Sequence, residues 1–202
     1  MDGGKLEDLV DPEGRCADPE RVKAVAALFN LTLASADQIR QGRELGARLI
    51  SSQVASADVL HAVQSRTGAS QFVHVEEGVV DGALGFAALR ATGRDALVEG
   101  AFDPRDFALD LIAPPGEPPA AVFAFGVVAS TKAGGSAVIG GAAAIQEALF
   151  WALPIYTRIA TADGERVLLT RLGFRRVQGD TSLACRPPRT RPLEGFSAGA
   201  AA

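Results

Sequence analysis

Two consecutive apolar runs near the middle of the chain constrain its fold more than any other feature. Residues 120–129, AAVFAFGVVA, are rich in Val and Phe, which is typical of a central strand buried on both faces. A glycine-bearing loop, STKAGG, leads into SAVIGGAAAIQEALFWAL, a run that is apolar nearly all round and that Pro154 ends. We predict that this second run is a helix packed inside the protein and followed by a strand, IYTRIAT, at 155–161.

Composition limits the function classes open to such a chain. Its 202 residues are 48% hydrophobic and 22% charged, which suits one globular domain with an apolar core and excludes a disordered chain. Lys and Arg number 20 against 24 Asp and Glu, and the net charge of −4 argues against a nucleic-acid binder. Cys16 and Cys185 lie far apart and build no disulfide framework, which favours a cytoplasmic setting.

Neither a membrane span nor a metal site is predicted. The longest nearly uncharged stretch, residues 133–156, contains Glu147, a glycine pair and Pro154, which favours a buried helix over a span. His61 and His74 have no Cys, Asp or second His at ligand spacing, so we expect no metal.

The patterns divide the chain into three parts. Residues 1–69 are predicted to form a helical arm. This part contains three helix start signals, which are Asp18 followed by Pro, Ser35 with Gln three residues later, and Ser56. Gly68 is a helix stop signal. The tail, residues 187–202, is rich in Pro, Arg, Gly and Ala and is predicted to be disordered.

Residues 70–186 predict a mixed α/β domain around the two apolar runs. Its outer elements are a hairpin (71–77 and 83–91), a helix (163–173) and a terminal strand pair (174–186). The segment between hairpin and central strand is less regular, and we predict a strand at 92–102 and a short helix at 103–112.

The stretch after the central strand is suited to binding an anion. The first four N–H groups of a helix lack intrahelical partners, and the helix dipole leaves about half a positive charge there. Gly134 and Gly135 let a bulky anion approach the backbone, and Lys132 adds a cation. A pyrophosphate is the natural occupant, although a plain strand-to-helix turn is the alternative.

This segment resembles the acyl-CoA-binding signature of the GNAT superfamily of N-acetyltransferases. That signature is Arg or Gln, two residues, Gly, one residue, then Gly or Ala. Lys132, Gly135 and Ala137 match it, with Lys in place of Arg or Gln, and Val127 occupies the position of a family valine. LLTRLGF at 168–174 is similar to the family's closing helix signature, so the resemblance covers about residues 70–186.

The resemblance implies a GNAT-like mixed-sheet fold that uses acetyl-CoA as acyl donor, without a metal. It implies that the main chain at Val127 and Val128 pairs with the pantetheine arm. It also implies that the pyrophosphate is held by successive amides, those of Ala133, Gly134, Gly135, Ser136 and Ala137.

The catalytic groups depart from the family pattern. The family often has a tyrosine as general acid where this chain has Leu169. Transfer to an amine also needs a base, and the central strand has no carboxylate. Glu99 has the better claim, because apolar neighbours such as Leu97 favour its burial, and Glu76 is second. The alternative for both is a solvated surface acid.

The sequence thus predicts an acyltransferase that moves an acetyl or other short acyl group from acyl-CoA to an amine of a small molecule or peptide. No nucleic-acid or membrane partner is expected, and a homodimer is compatible with the sequence. One alternative is a non-catalytic acyl-CoA sensor on the same fold, and another is an interaction module that has lost the ligand. The acceptor stays open.

Overall fold

A computed structural model describes residues 5–50, 54–170 and 172–190, which form a mixed α/β fold as predicted. The α-helices of these ranges are α1 (Pro19–Ala27), α2 (Ala36–Leu49), α3 (Ala57–Thr67), α4 (Ala91–Val98), α5 (Lys132–Leu149) and α6 (Ala162–Thr170). The strands are β1 (Thr32–Leu33), β2 (Gln71–Glu76), β3 (Val79–Leu89), β4 (Ala121–Ala129), β5 (Ile155–Arg158), β6 (Arg175–Val177) and β7 (Asp180–Arg186).

The strands form one sheet in the order β1-β2-β3-β4-β5-β7-β6. All neighbouring pairs are antiparallel except β4 and β5, which are parallel and are joined by the buried helix α5. Among the described strands, β4 and β5 are thus the single parallel pair, and α5 supplies the crossover that a parallel connection needs.

Helices cover both faces of the sheet. Residues alternate along each strand, so Phe72 joins the core cluster that contains α1, α5 and α6 side chains, while Val73 joins the one that contains α2, α3 and α4 side chains. Val25 of α1 is fully buried and Ile39 of α2 is 3% exposed, so the first helices complete the same cores as the strands. The proposed division at residues 69/70 stays a prediction.

The first three helices begin where the sequence predicts. Asp18 accepts a hydrogen bond from the amide of Glu20 at the start of α1, and Ser35 forms the expected capping box with Gln38 at the start of α2. Helix α3 has Ser56 as its cap and ends at Gly68, whose φ of 74° is the left-handed conformation that favours glycine.

Two predictions for the segment after the hairpin are wrong. Residues 92–102 are not a strand, because α4 occupies most of them and buries Gly93 and Leu97, which are four positions apart on one helix face. No α-helix follows, because the Asp103 side chain accepts the amide of Arg105 in a local turn, and only a 3-10 turn forms at Leu109–Leu111.

The other predicted elements are present, but some of their bounds differ. Strand β3 begins at Val79 instead of 83, β5 ends at Arg158 instead of 161, and α6 ends at Thr170 instead of 173. The hairpin, the central strand, the helix from 162 and the strand pair around Gly179 are all present. Most of the predicted disordered tail, residues 191–202, lies outside the described residues. None of the described helices is both long and apolar enough to cross a membrane.

Candidate functional site

Strands β4 and β5 separate after a short parallel contact, and this separation defines the site. They pair only at Val122–Ile155, Phe123–Tyr156 and Ala124–Thr157. Strand β4 continues to Ala129 and pairs with β3 on both sides of a bulge at Phe125, which has no partner residue in β3. Among the described residues, 125–129 therefore have no strand on the β5 side, and alternate residues point their N–H and C=O groups into this gap.

A cavity of about 1040 Å³ passes through the gap and borders both faces of the sheet. Its α5 side includes Ile139, Ala142, Gln146, Val167 and Leu168, and its α2 side includes Ile39, Gly42, Arg43, Gly46 and Leu49. Between them, all of β4 from Val122 to Ala129 contributes to the lining. Val127 is 43% exposed, so an apolar side chain at the strand edge faces this space.

Helix α5 presents a stripe of residues along the cavity. Ile139, Ala142 and Gln146 line it at the three- and four-residue spacing of one helix face. Gly135 lies one turn earlier on the same face, and a Cβ there would meet only Ala129 Cβ, at 3.8 Å. The stripe therefore leads from the cavity to the first turn of the helix without an obstruction.

The first turn of α5 differs from the predicted loop. The helix begins at Lys132, and Gly134 donates its amide to Thr131 Oγ1 at 3.0 Å while Gly135 donates to the Thr131 carbonyl at 3.0 Å. Ser136 and Ala137 lie farther inside the helix, where their amides bond to the carbonyls four residues earlier. Only the Ala133 amide of the five predicted anion-binding amides is therefore unused. No described residue accepts from the amides of Lys132 and Ala133, and both residues are exposed.

A buried carboxylate lies against the inner side of this turn. Asp81 is 4% exposed, accepts the hydroxyl of Thr131, and is 2.6 Å from Nδ1 of His74. A Cβ at Gly134 would lie 2.9 Å from Asp81 Oδ2, so glycine is needed there for close approach. Burial raises the pKa of Asp81, but hydrogen bonds from Thr131 and His74 outweigh it and lower the pKa below its usual value.

Sequence reasoning missed this cluster. The available signal was a lone acid within VVDGALGF, but the predicted second hairpin strand begins at residue 83, whereas β3 begins at Val79 and includes Asp81. Register places Asp81 beside His74, because His74 pairs with Gly82. Only the three-dimensional arrangement adds Thr131, which is 50 residues away from Asp81 in sequence.

The two predicted bases are not brought to the cavity. Glu99 follows the last residue of α4 and is exposed, although Leu97 and Phe102 beside it are buried. Residues 97 and 99 point about 200° apart around a helix, so the burial expected for Glu99 is wrong. Glu76 is exposed at the end of β2. Neither lines the cavity, and their catalytic roles stay predictions.

Asp103 and Asp163 are the carboxylates that do line the cavity among the described residues. Asp103 is 44% exposed and accepts two hydrogen bonds from the Arg105 guanidinium, at 3.0 and 3.1 Å. These bonds lower the pKa of Asp103, so this carboxylate is ionised at neutral pH.

No tyrosine hydroxyl lies at the gap in the described residues. Leu169, which stands at the position of the family tyrosine, packs against the core cluster on the α5 face. Tyr156 is 9% exposed, belongs to the core on the opposite face and does not line the cavity. Burial raises the pKa of Tyr156 to about 12.

Two buried nitrogen atoms of cavity-lining residues lack a hydrogen-bond partner in the described structure. They are Nε2 of Gln146 and Nε of Arg158. Arg158 is held by its Nη1, which donates to Asp180 at 3.0 Å and to Ser182 at 2.8 Å. Buried donors are normally satisfied, so both atoms are suited to a bound molecule or water. No group of three or more His, Cys, Asp or Glu able to hold a metal occurs among the described residues.

Comparison with known proteins gives no sequence match and a distant structural likeness. No protein-family model and no curated protein matches the sequence. Among solved structures, the chain is similar to a histone acetyltransferase HPA2 and related acetyltransferase from Corynebacterium glutamicum, at 15% identity and a TM-score of 0.45. That match covers 81% of this chain and 98% of the other. A likeness at this level defines neither a family nor an activity.

Proposed function

We propose that the chain binds acyl-CoA in the gap between β4 and β5 and transfers the acyl group to an amine. The observation that carries this proposal is the open backbone edge at residues 125–129, which faces a cavity bordered by α5. A narrow extended molecule with its own amides suits such an edge, because it pairs as an added strand would.

The pantetheine arm of CoA has this chemistry. Its two amide groups pair with backbone N–H and C=O groups around Val127 and Val128, as the resemblance to the acyl-CoA-binding signature implies. The free Nε2 of Gln146 lies on the helix side of the cavity, where it donates to a carbonyl of the arm. Both walls thus offer polar groups to a ligand that otherwise contacts apolar side chains.

The diphosphate of CoA binds at the outer side of the first turn of α5. The amides of Lys132 and Ala133 are unused there, the side chain of Lys132 supplies a cation, and Ser136 is exposed beside them. Gly135 leaves the approach from Ala129 open. Gly134 has a different role, since its amide is capped by Thr131 and it packs on Asp81.

The reaction is a direct transfer at the gap. The amine lone pair attacks the thioester carbonyl, whose oxygen is polarised by a main-chain N–H of the open β4 edge that the pantetheine arm does not occupy. A C–N bond forms, the C–S bond breaks, and CoA leaves as the thiolate, which needs no general acid to depart. The proton lost by the amine goes to water at the solvent-exposed rim that includes Asp103. The acceptor, a cytoplasmic setting and a homodimer stay predictions.

A non-catalytic acyl-CoA sensor is the second candidate. It is favoured by Leu169 in the place of the family tyrosine, and by the burial of Tyr156 on the other face of the sheet. A thiol-release assay with a mixture of amines separates the two candidates. Tight thioester binding without any turnover supports the sensor, and thiol release that requires an amine supports the transferase.

Gly135→Glu tests where the diphosphate binds. A carboxylate at this position repels a diphosphate, so the thermal stabilisation by CoA should disappear. For the wild type it is about 2.7 kcal/mol when CoA is present at a hundred times its dissociation constant. The variant itself should be about 0.5–1 kcal/mol more stable than wild type, because Glu suits the first turn of a helix better than Gly.

Ser65→Glu on the exposed side of α3 is the matched control and should keep the CoA response. A folded Gly135→Glu protein that binds CoA as tightly as wild type contradicts the placement of the diphosphate. Absence of any response to CoA in the wild type contradicts the proposed function itself.

A further inference from the structure

The part of the cavity on the α2 side, here called the α2 chamber, contains space that the proposed CoA site does not use. It is lined by Ile39, Gly42, Arg43, Gly46, Leu49 and Ala83. Gly46 is buried, yet a Cβ at this position would meet no atom within 4 Å. A buried glycine with open space beside it borders the cavity and is not explained by a close contact.

The two glycines of α2 have different structural explanations. A Cβ at Gly42 would lie 3.2 Å from Ala83 Cβ, so close packing of α2 on β3 explains this glycine. Gly46 has neither a close neighbour nor a positive φ. A glycine inside a helix costs about 0.5–1 kcal/mol relative to alanine. The α2 chamber is thus kept open at the expense of helix stability.

The chamber is apolar and has no negative charge. Ile39 is 3% exposed, Leu49 is 44% exposed, and Arg43 is the charged member of the set that defines the chamber, with its Nε donating to the Ala55 carbonyl at 3.3 Å. Among the six residues that define the chamber, a protonated amine would meet the Arg43 cation and no carboxylate. The Asp103 carboxylate, which lines the cavity beside Phe102, is paired with the Arg105 guanidinium. An apolar group gains the most binding free energy by entering this volume, because it is removed from water.

We propose that the α2 chamber holds the acyl chain of a medium-chain acyl-CoA, longer than acetyl. This inference rests on the proposed function. With the pantetheine arm along β4, the thioester lies at the gap, and whatever is attached to its carbonyl continues toward the α2 side. Small residues keep this passage open: Gly126 lines it, and a Cβ there would have only backbone atoms of Gly85 near it, from 3.7 Å.

Chain-length dependence tests the inference. Dissociation constants of CoA, acetyl-CoA, butyryl-CoA, hexanoyl-CoA and octanoyl-CoA should be measured by calorimetry on the full chain. We expect affinity to rise about three- to fourfold for each methylene that enters the chamber, as for burial of CH₂ groups elsewhere. Equal affinities for acetyl-CoA and all longer thioesters overturn this inference alone, whereas absence of binding by CoA and every thioester overturns the proposed function with it.

The variant Gly46→Leu tests whether the dependence of affinity on acyl-chain length arises in the α2 chamber. The leucine side chain has space and stands on a helical backbone, so the variant should fold. It should bind CoA and acetyl-CoA as wild type does, but its affinity for octanoyl-CoA should fall at least tenfold. Ala47→Leu adds similar bulk to the next position of α2, which does not line the cavity, and should leave the whole series unchanged. A Gly46→Leu protein with an unchanged preference for octanoyl-CoA overturns the inference.

Discussion

Asp81 places a negative charge beside a helix terminus where the sequence predicts only glycines and amides. Its carboxylate contacts Thr131 and His74, and the main-chain oxygen of Asp81 accepts the amide of Ser130 at 2.8 Å. A carboxylate near a helix N-terminus stabilises the helix by about 0.3–1 kcal/mol, and by more when it is partly buried. The chain thus neutralises the inner side of this turn, and only the outer side is left for a ligand anion.

Asp81→Asn should remove part of the acid sensitivity of the fold. Because the folded pKa of Asp81 is lowered, the ionised carboxylate contributes stability above its unfolded pKa, near 3.8, and this contribution is lost as pH falls through the folded value. Urea unfolding between pH 7 and pH 2 should show a variant that is about 1–3 kcal/mol less stable at pH 7. The difference from wild type should shrink below pH 3.8. A constant difference across the whole range contradicts this role.

At the scale of elements, the start of α5 shows why local patterns mislead. Glycines are poor helix formers, so STKAGG is typical of a loop, yet the helix begins at Lys132. Gly134 allows α5 to pack on β3, because a Cβ there would meet Asp81. Gly82 of β3 has the same role, because its Cβ would lie 2.9 Å from Val138. This contact joins residues about 50 positions apart, which no local pattern contains.

Thr131→Ala tests the double role of the α5 cap. The hydroxyl accepts the Gly134 amide and donates to Asp81, so its removal should cost about 1–3 kcal/mol in the free energy of unfolding. Ser56→Ala removes only an amide acceptor at the start of α3 and should cost about 1 kcal/mol. Thr131→Ser keeps both bonds and should restore most of the loss. A serine variant as unstable as the alanine variant contradicts the hydrogen-bond explanation.

At the scale of the whole molecule, local sequence patterns predict many of the helices and strands, whereas contacts between residues distant in sequence determine where the candidate site lies. The hairpin, strand β4 and the caps of α1 to α3 follow from residues within a few positions of one another. The gap between β4 and β5 depends instead on where the chain re-enters the sheet after α5. The α2 chamber depends on which face of α2 packs against the sheet. Glu99 was misplaced for the same reason, since its neighbours in sequence are apolar but its position at the end of α4 turns it outward.

Removal of residues 1–69 should prevent the remaining chain from folding. Val25, Leu31, Ile39, Leu60 and Val63 are at most 7% exposed and share both core clusters with the strands. Burial of each of these side chains contributes about 1.5–3 kcal/mol to the free energy of unfolding. Their combined loss is therefore comparable to the total stability of a domain, which is roughly 5–15 kcal/mol. A 70–202 fragment should therefore lack cooperative thermal unfolding and dispersed amide resonances, and co-expression with residues 1–69 should restore both. A fragment that unfolds cooperatively on its own would show that the helices before residue 70 are an arm added to a self-sufficient sheet.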